Sequence, residues 1–185
     1  MGGPKALVEL DGEPLVRRAL RVLTDGGCAP RVVVLGAAAD AVRVILPEGV
    51  TAVEAPDWAE GMGASLRTGL AALPPDVDAV LVHLVDLPGV TAAAVARLAA
   101  AAGPATLRRA SYHGRPAHPV VLGRDHWAGV VASAKGDAGA RDYLKGNPVL
   151  ELVECADIAT PDDVDTPDAL VRWSPNQPGG RTPRP

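Results

Sequence analysis

A chain of 185 residues fits one domain and can bury a core without disulfide staples. Its formal net charge of −4 gives no basic footprint for nucleic acid, and its apolar runs are too short and interrupted to read as a signal peptide or a membrane span. Phe is absent and aromatics make up 3 %, so the core is expected to be built from Ala, Val and Leu. Cys28 and Cys155 lie far apart with no metal-type spacing and read as free thiols in a reducing cytoplasm.

Taken in chain order, the elements alternate. Residues 13–25 place Leu15, Val16, Ala19, Leu20 and Leu23 on one helical stripe, closed by Gly26 and Gly27. RVVVLG at 31–36 predicts a short strand, 39–46 a helix and VTAVE at 50–54 a strand. Residues 64–73 predict a helix stopped by Pro74 and Pro75. Residues 77–88, VDAVLVHLVDLP, form an apolar run that suits a strand covered on both faces, with Asp86 near its end and Pro88 stopping it. An Ala-rich helix over 92–102 starts at Thr91 as N-cap. Strands at 105–110 and 119–123, helices near 125–133 and 138–145, a strand at 149–153 and a short helix from Pro167 complete the set. This alternation predicts an α/β three-layer sandwich with a mostly parallel sheet. The domain is expected over 1–173, and residues 174–185, SPNQPGGRTPRP, read as a disordered tail.

Ligands of open α/β sheets bind outside the carboxyl ends of the strands, where a carboxylate such as Asp86 can hold a divalent metal. The alternative for Asp86 is a capping or turn role.

Several stretches, in order, resemble the MobA/MocA-like NTP transferase family, the nucleotidyltransferases of molybdenum cofactor synthesis. Met1-Gly2-Gly3-Pro4-Lys5-Ala6-Leu7 matches the last part of that family's N-terminal loop, and Asp11-Gly12-Glu13-Pro14-Leu15 the segment after it. Residues 58–70, WAEGMGASLRTGL, are similar to the base-side segment of the MocA branch. Leu84-Val85-Asp86-Leu87-Pro88 resembles the metal motif. His118-Pro119 and Gly136-Asp137-Ala138-Gly139-Ala140-Arg141 match two later elements, with Ala117 in place of a glycine. Asp163-Val164-Asp165-Thr166-Pro167-Asp168 matches the terminal one. The family opens with a strand and a Gly-rich turn, and this chain begins past both. The expected fold is therefore Rossmann-like with the first strand missing, N-terminally incomplete, gapped in mid-sheet, marginally stable and weakly active.

The resemblance implies transfer of CMP or GMP from CTP or GTP to a phosphorylated acceptor, the molybdenum-pterin cofactor, with loss of pyrophosphate. It implies Mg2+ held by Asp86 and Asp165, Lys5 as catalytic phosphate clamp, and a nucleotide site at Gly2, Gly3, Lys5, Gly61, Met62, Gly63 and Ser65. His118 and Arg141 are the acceptor candidates, and a molybdoenzyme is the partner the resemblance implies. Each has a plainer alternative. Asp163, Asp165 and Thr166 suit helix capping, and Arg67 suits either a phosphate contact or a solvent-facing helix surface. Asp137 and Arg141, four apart, suit a helical ion pair. His83 reads as a satisfied core residue, and His113 and His126 form no metal pattern. Competing functions are an NAD(P)H-dependent oxidoreductase of the nicotine-blue type, although no intact GxGxxG follows a strand, and a non-catalytic nucleotide-binding relative.

Overall fold

The computed structural model describes residues 3–165 and Trp173. The helix anticipated from Pro167, the proposed tail and Gly2 lie outside these residues.

Asp11 and Gly12, both at positive φ (54° and 77°), join β1 (Glu9–Leu10) to β2 (Glu13–Pro14) in a tight hairpin. An Asp-Gly turn favours this backbone because its twist matches that of paired strands. Next comes α1 (Leu15–Asp25), which buries Leu15, Val16 and Leu20 and stops at Gly26. β3 (Arg31–Leu35), α2 (Ala39–Val44) and β4 (Val50–Glu54) form a βαβ unit, its strands parallel from Arg31↔Val50 to Leu35↔Glu54. Val16, Leu20, Leu35 and Val42 pack this lobe together.

The second sheet follows α3 (Met62–Ala71). It contains β5 (Ala79–Val82), β6 (Leu107–Tyr112), β7 (Arg115–Gly123) and β8 (Glu151–Glu154), in the order β5-β7-β6-β8. β7 runs antiparallel to both β5 and β6, while β6 and β8 are parallel. The α/β class stands, and this sheet is mixed where sequence alternation suggested a mostly parallel one. Apolar alternation did not reveal the reversal, because β7 is buried on both faces and reads the same in either direction. Val120 and Leu122 face α3, α5 (Arg124–Ser133) and α6 (Arg141–Leu144), whereas Val121 faces α4 (Ala92–Ala99). The layers are thus helix, sheet, helix. Thr91 caps α4 as its sequence position suggested, its hydroxyl accepting from Ala94 N at 3.2 Å.

Where the two sheets would meet, β3 and β5 do not pair. Among the described residues their facing edges carry no strand, and a cavity of about 860 Å3 lies between them, lined by Val32–Val34 and Val80–Val85. All four residues of β5 are consequently half-buried rather than buried, and the strand ends at Val82 rather than running to Pro88.

Glu154 closes β8 and staples the far edge of this sheet. Its carboxylate accepts from the backbone N–H groups of His113 (3.0 Å) and Gly114 (3.1 Å) at the β6–β7 turn, from the Ser111 hydroxyl (2.9 Å) and from Ala156 N (3.0 Å). The Ala156 N–H, followed by that of Gly114, draws its pKa from 4.5 down to about 2. A depressed carboxylate pKa stabilises the fold at neutral pH, and that contribution fades as the pH falls from about 4.5 towards about 2. Melting temperatures of Glu154→Gln measured from pH 7 to pH 2 should therefore fall less steeply with acid than those of the parent.

Candidate active site

Lys5 begins a short 3-10 turn, Lys5–Leu7, just after Pro4. Its ammonium donates to Asp86 Oδ2 at 2.8 Å and also to Asp165 Oδ1. Asp86 sits in a turn beyond the end of β5, anchored by buried Leu87 and Val90. Val164 N bonds the carbonyl of Asp86 at 2.9 Å, bringing the 163–165 segment against the same turn. Three chain segments remote in sequence thereby converge on one ammonium.

The local charge is asymmetric. Burial opposes the charged form of Lys5, but its bonds to Asp165 and Asp86 prevail and raise its pKa. Asp165 is lowered, first by the Lys5 hydrogen bond, while Asp163 is raised by burial and then by the neighbouring Asp165 charge. Asp86 and Asp165 thus share one monovalent cation, with the Asp163 carboxylate beside Asp165. The ammonium stands where a cation can bridge Asp86 and Asp165. Among the described residues no group of three or more His, Cys, Asp or Glu side chains is placed to hold a metal. A two-carboxylate set suits magnesium, which leaves its other positions to water and phosphate.

The WAEGMGASL segment forms the second wall. Gly61 has φ +112°, a backbone that L side chains rarely adopt. A Cβ there would lie 2.5 Å from the carbonyl carbon of Gly136 and 2.6 Å from Asp137 Oδ1. One at Gly63 would lie 2.9 Å from Ala134 C and Lys135 N. The glycines therefore let the start of α3 lie directly on the 134–139 loop. Arg67 strengthens this contact by donating to Ala134 O at 2.6 Å and approaching Glu60 at 3.4 Å. Its guanidinium is committed to the protein rather than turned to solvent.

Met62, Ser65, His118 and Arg141 line the large cavity, and so do His83 and Arg109. Gly3 is exposed, with open space where a Cβ would stand. Asp137 and Arg141 form no ion pair among the described residues: Asp137 belongs to a 3-10 turn, Gly139 at φ +54° redirects the chain, and Arg141 opens α6. The single helix that spacing suggested over 138–145 is interrupted there. His83 is not a satisfied core residue. Its Nδ1 is buried without a hydrogen-bond partner, and burial lowers its pKa to about 4. His118 Nδ1 is likewise buried and unpartnered, and burial lowers that pKa too. Arg109 escaped the sequence reading because no motif surrounds it; only strand pairing places it beside these groups.

An α/β domain with an ammonium bridging two carboxylates beyond its strand ends, next to a helix start opened by glycines, is a nucleotidyltransferase-type domain. The chain belongs to the MobA-like NTP transferase domain family, which it matches over residues 1–154, and it is a nucleotidyltransferase of that family. It is 38 % identical over 180 residues to a nicotine blue oxidoreductase from Paenarthrobacter nicotinovorans, covering 92 % of this chain and 87 % of the relative. The Rv0371c homolog of Mycobacterium sp. strain JC1 superposes with a TM-score of 0.81 at 28 % identity, covering 93 % of this chain and 87 % of the other. Rv0371c of Mycobacterium tuberculosis H37Rv, in complex with manganese, does so with 0.76 at 26 %, covering 94 % and 92 %.

Proposed function

We propose that this chain is a magnesium-dependent nucleotidyltransferase that moves CMP or GMP from CTP or GTP to the phosphate of a molybdenum-pterin acceptor. The observation that carries the reading is the Lys5 ammonium held between Asp86 and Asp165. An oxygen of the acceptor phosphate attacks the α-phosphorus, the bond from that phosphorus to the bridging oxygen of the β-phosphate breaks, and pyrophosphate leaves. Such a transfer requires alignment and neutralisation of charge rather than a protein nucleophile. Asp86 and Asp165 would hold the metal, which supplies Lewis-acid neutralisation of phosphate oxygens. Lys5, a compact charge on a flexible stem, would leave the carboxylates for the triphosphate. Gly61 and Gly63 seat the start of α3 on the 134–139 loop, and its free backbone N–H groups would face the nucleotide there, with Met62 and Ser65 beside it. The manganese complex of Rv0371c supports a divalent metal in this family. No helix among the described residues is long and apolar enough to cross a membrane, and we place the reaction in the cytoplasm.

The 38 % identity to a nicotine blue oxidoreductase favours a second reading, NAD(P)H-dependent reduction at the same cavity. Titration with CTP, GTP, ATP, UTP and NADPH, each with and without magnesium, separates the two. Magnesium-dependent binding of one triphosphate with pyrophosphate release is expected. Binding of NADPH alone, indifferent to magnesium and to Asp86→Asn, would replace the transferase reading with the reductase.

A further inference from the structure

Among the described residues Arg109 is a half-buried arginine without a carboxylate partner. It lies on β6 beside a register shift between Arg109 and Ser111, an irregularity of the kind that re-aims side chains. Its Nε donates to Ala117 O on β7 at 3.1 Å, which fixes the plane of the guanidinium. Among the described residues Arg21, Arg43, Arg67, Arg97 and Arg108 each pair with an Asp or Glu; several other arginines do not, and of these only Arg109 and Arg141 line the cavity. Arg109 lines the cavity with Arg141, His83 and His118. Among the described residues neither Arg109 nor Arg141 has an acidic partner within ion-pair distance. Burial, and then the charge of Arg141, work against the cationic form of Arg109. The two histidines each add a buried, unsatisfied Nδ1.

Holding cationic and unsatisfied polar groups together without a counter-charge is unfavourable. A bound anion reverses this, because guanidinium groups bind a phosphate dianion through charge-assisted, often bidentate hydrogen bonds. We infer that Arg109, with Arg141 and His118, forms an anion subsite that holds the acceptor's phosphate, and that Arg109 is its principal binding residue. Resting on the transferase reading, this inference supplies the acceptor side of the site. The Asp86 turn is close by, since it continues directly from β5, whose last residue Val82 pairs with Val120, two residues after His118. A phosphate in this subsite is therefore beside the carboxylates that would hold the metal.

Inorganic phosphate is the probe, titrated into the full chain while the ring resonances of His83 and His118 are followed by NMR. Saturable shifts are expected in the parent protein, with phosphate affinity falling about tenfold or more in Arg109→Gln and recovering in part in Arg109→Lys. Thermal melting of each variant checks folding. If Arg109→Gln does not fold, Arg141→Gln at an exposed position must show the weakened binding instead. Immobile histidine resonances, or unchanged phosphate affinity in folded Arg109→Gln, would overturn the subsite. Competitive displacement of phosphate by magnesium–CTP would overturn the acceptor assignment, since the anion would then occupy the triphosphate's place. A parallel titration with magnesium–CTP tests the transferase reading separately. Failure of that titration, with phosphate binding still dependent on Arg109, would remove the transferase and leave the anion subsite standing.

Discussion

Asp86→Asn is expected to reduce magnesium-dependent pyrophosphate release by about 10²–10³, the scale on which one aimed electrostatic group contributes to transfer chemistry. The substitution preserves size and removes a charge. Asp86 Oδ2 is 2.8 Å from Lys5 Nζ, and the side chain is 19 % exposed against 55 % for Asp165. The less exposed carboxylate acts through a less screened field, so its loss should matter more than that of Asp165. Structure should survive, because the turn is held by backbone: Val164 N bonds the Asp86 carbonyl, not its carboxylate. Pyrophosphate release and thermal melting measured on the same preparations check both statements. Turnover within twofold of the parent would remove Asp86 from the chemistry.

Gly61→Val should destabilise the fold by about 2–6 kcal/mol, adding the roughly 1–3 kcal/mol of a non-glycine residue at a disfavoured backbone conformation to about 1–3 kcal/mol of overpacking. The new side chain would meet the backbone of Gly136 and the carboxyl of Asp137, and backbone yields less readily than the tip of a flexible side chain. Out of a typical total of about 5–15 kcal/mol this is a large loss. Urea unfolding measures it, with Gly3→Ala as the control, since nothing lies within 4 Å of a Cβ at that position. An unfolding midpoint for Gly61→Val equal to the parent's would show that the 134–139 loop moves aside without cost.

Local signals in the sequence located most elements well. α1 follows from a single apolar stripe and a Gly-Gly stop, and the start of α4 from a threonine placed to accept a backbone N–H. The strands of the βαβ unit were bounded nearly to the residue, because a short Val-rich run between turn residues has few other uses. The hairpin at Asp11-Gly12 was legible in its dipeptide but was read only as part of a motif. β5 was overextended to Pro88, since VHLVDLP stays apolar after the strand has ended and become a turn. Composition does not distinguish an apolar strand from an apolar turn buried under a helix.

Much of the candidate site was legible as residue types at ordered spacings: Lys5, Asp86, Asp165 and the glycines at 61 and 63. Their relations were not. That one ammonium bridges carboxylates 81 and 160 positions away is a fact of long-range pairing, invisible to any local window. Asp137 shows the same limit in reverse, because its spacing from Arg141 suggested a helical ion pair and the fold set it in a separate turn against the start of α3.

By itself, then, the sequence determined the α/β class, the order of the elements and the identity of the chemical groups, because propensity, apolar period and motif spacing act over a few residues. Tertiary structure decided the direction of β7, the open edges of β3 and β5, the seating of α3 on the 134–139 loop and the gathering of Arg109, Arg141, His83 and His118 around one cavity. These depend on which strands pair and which faces are covered, and packing among distant segments settles both.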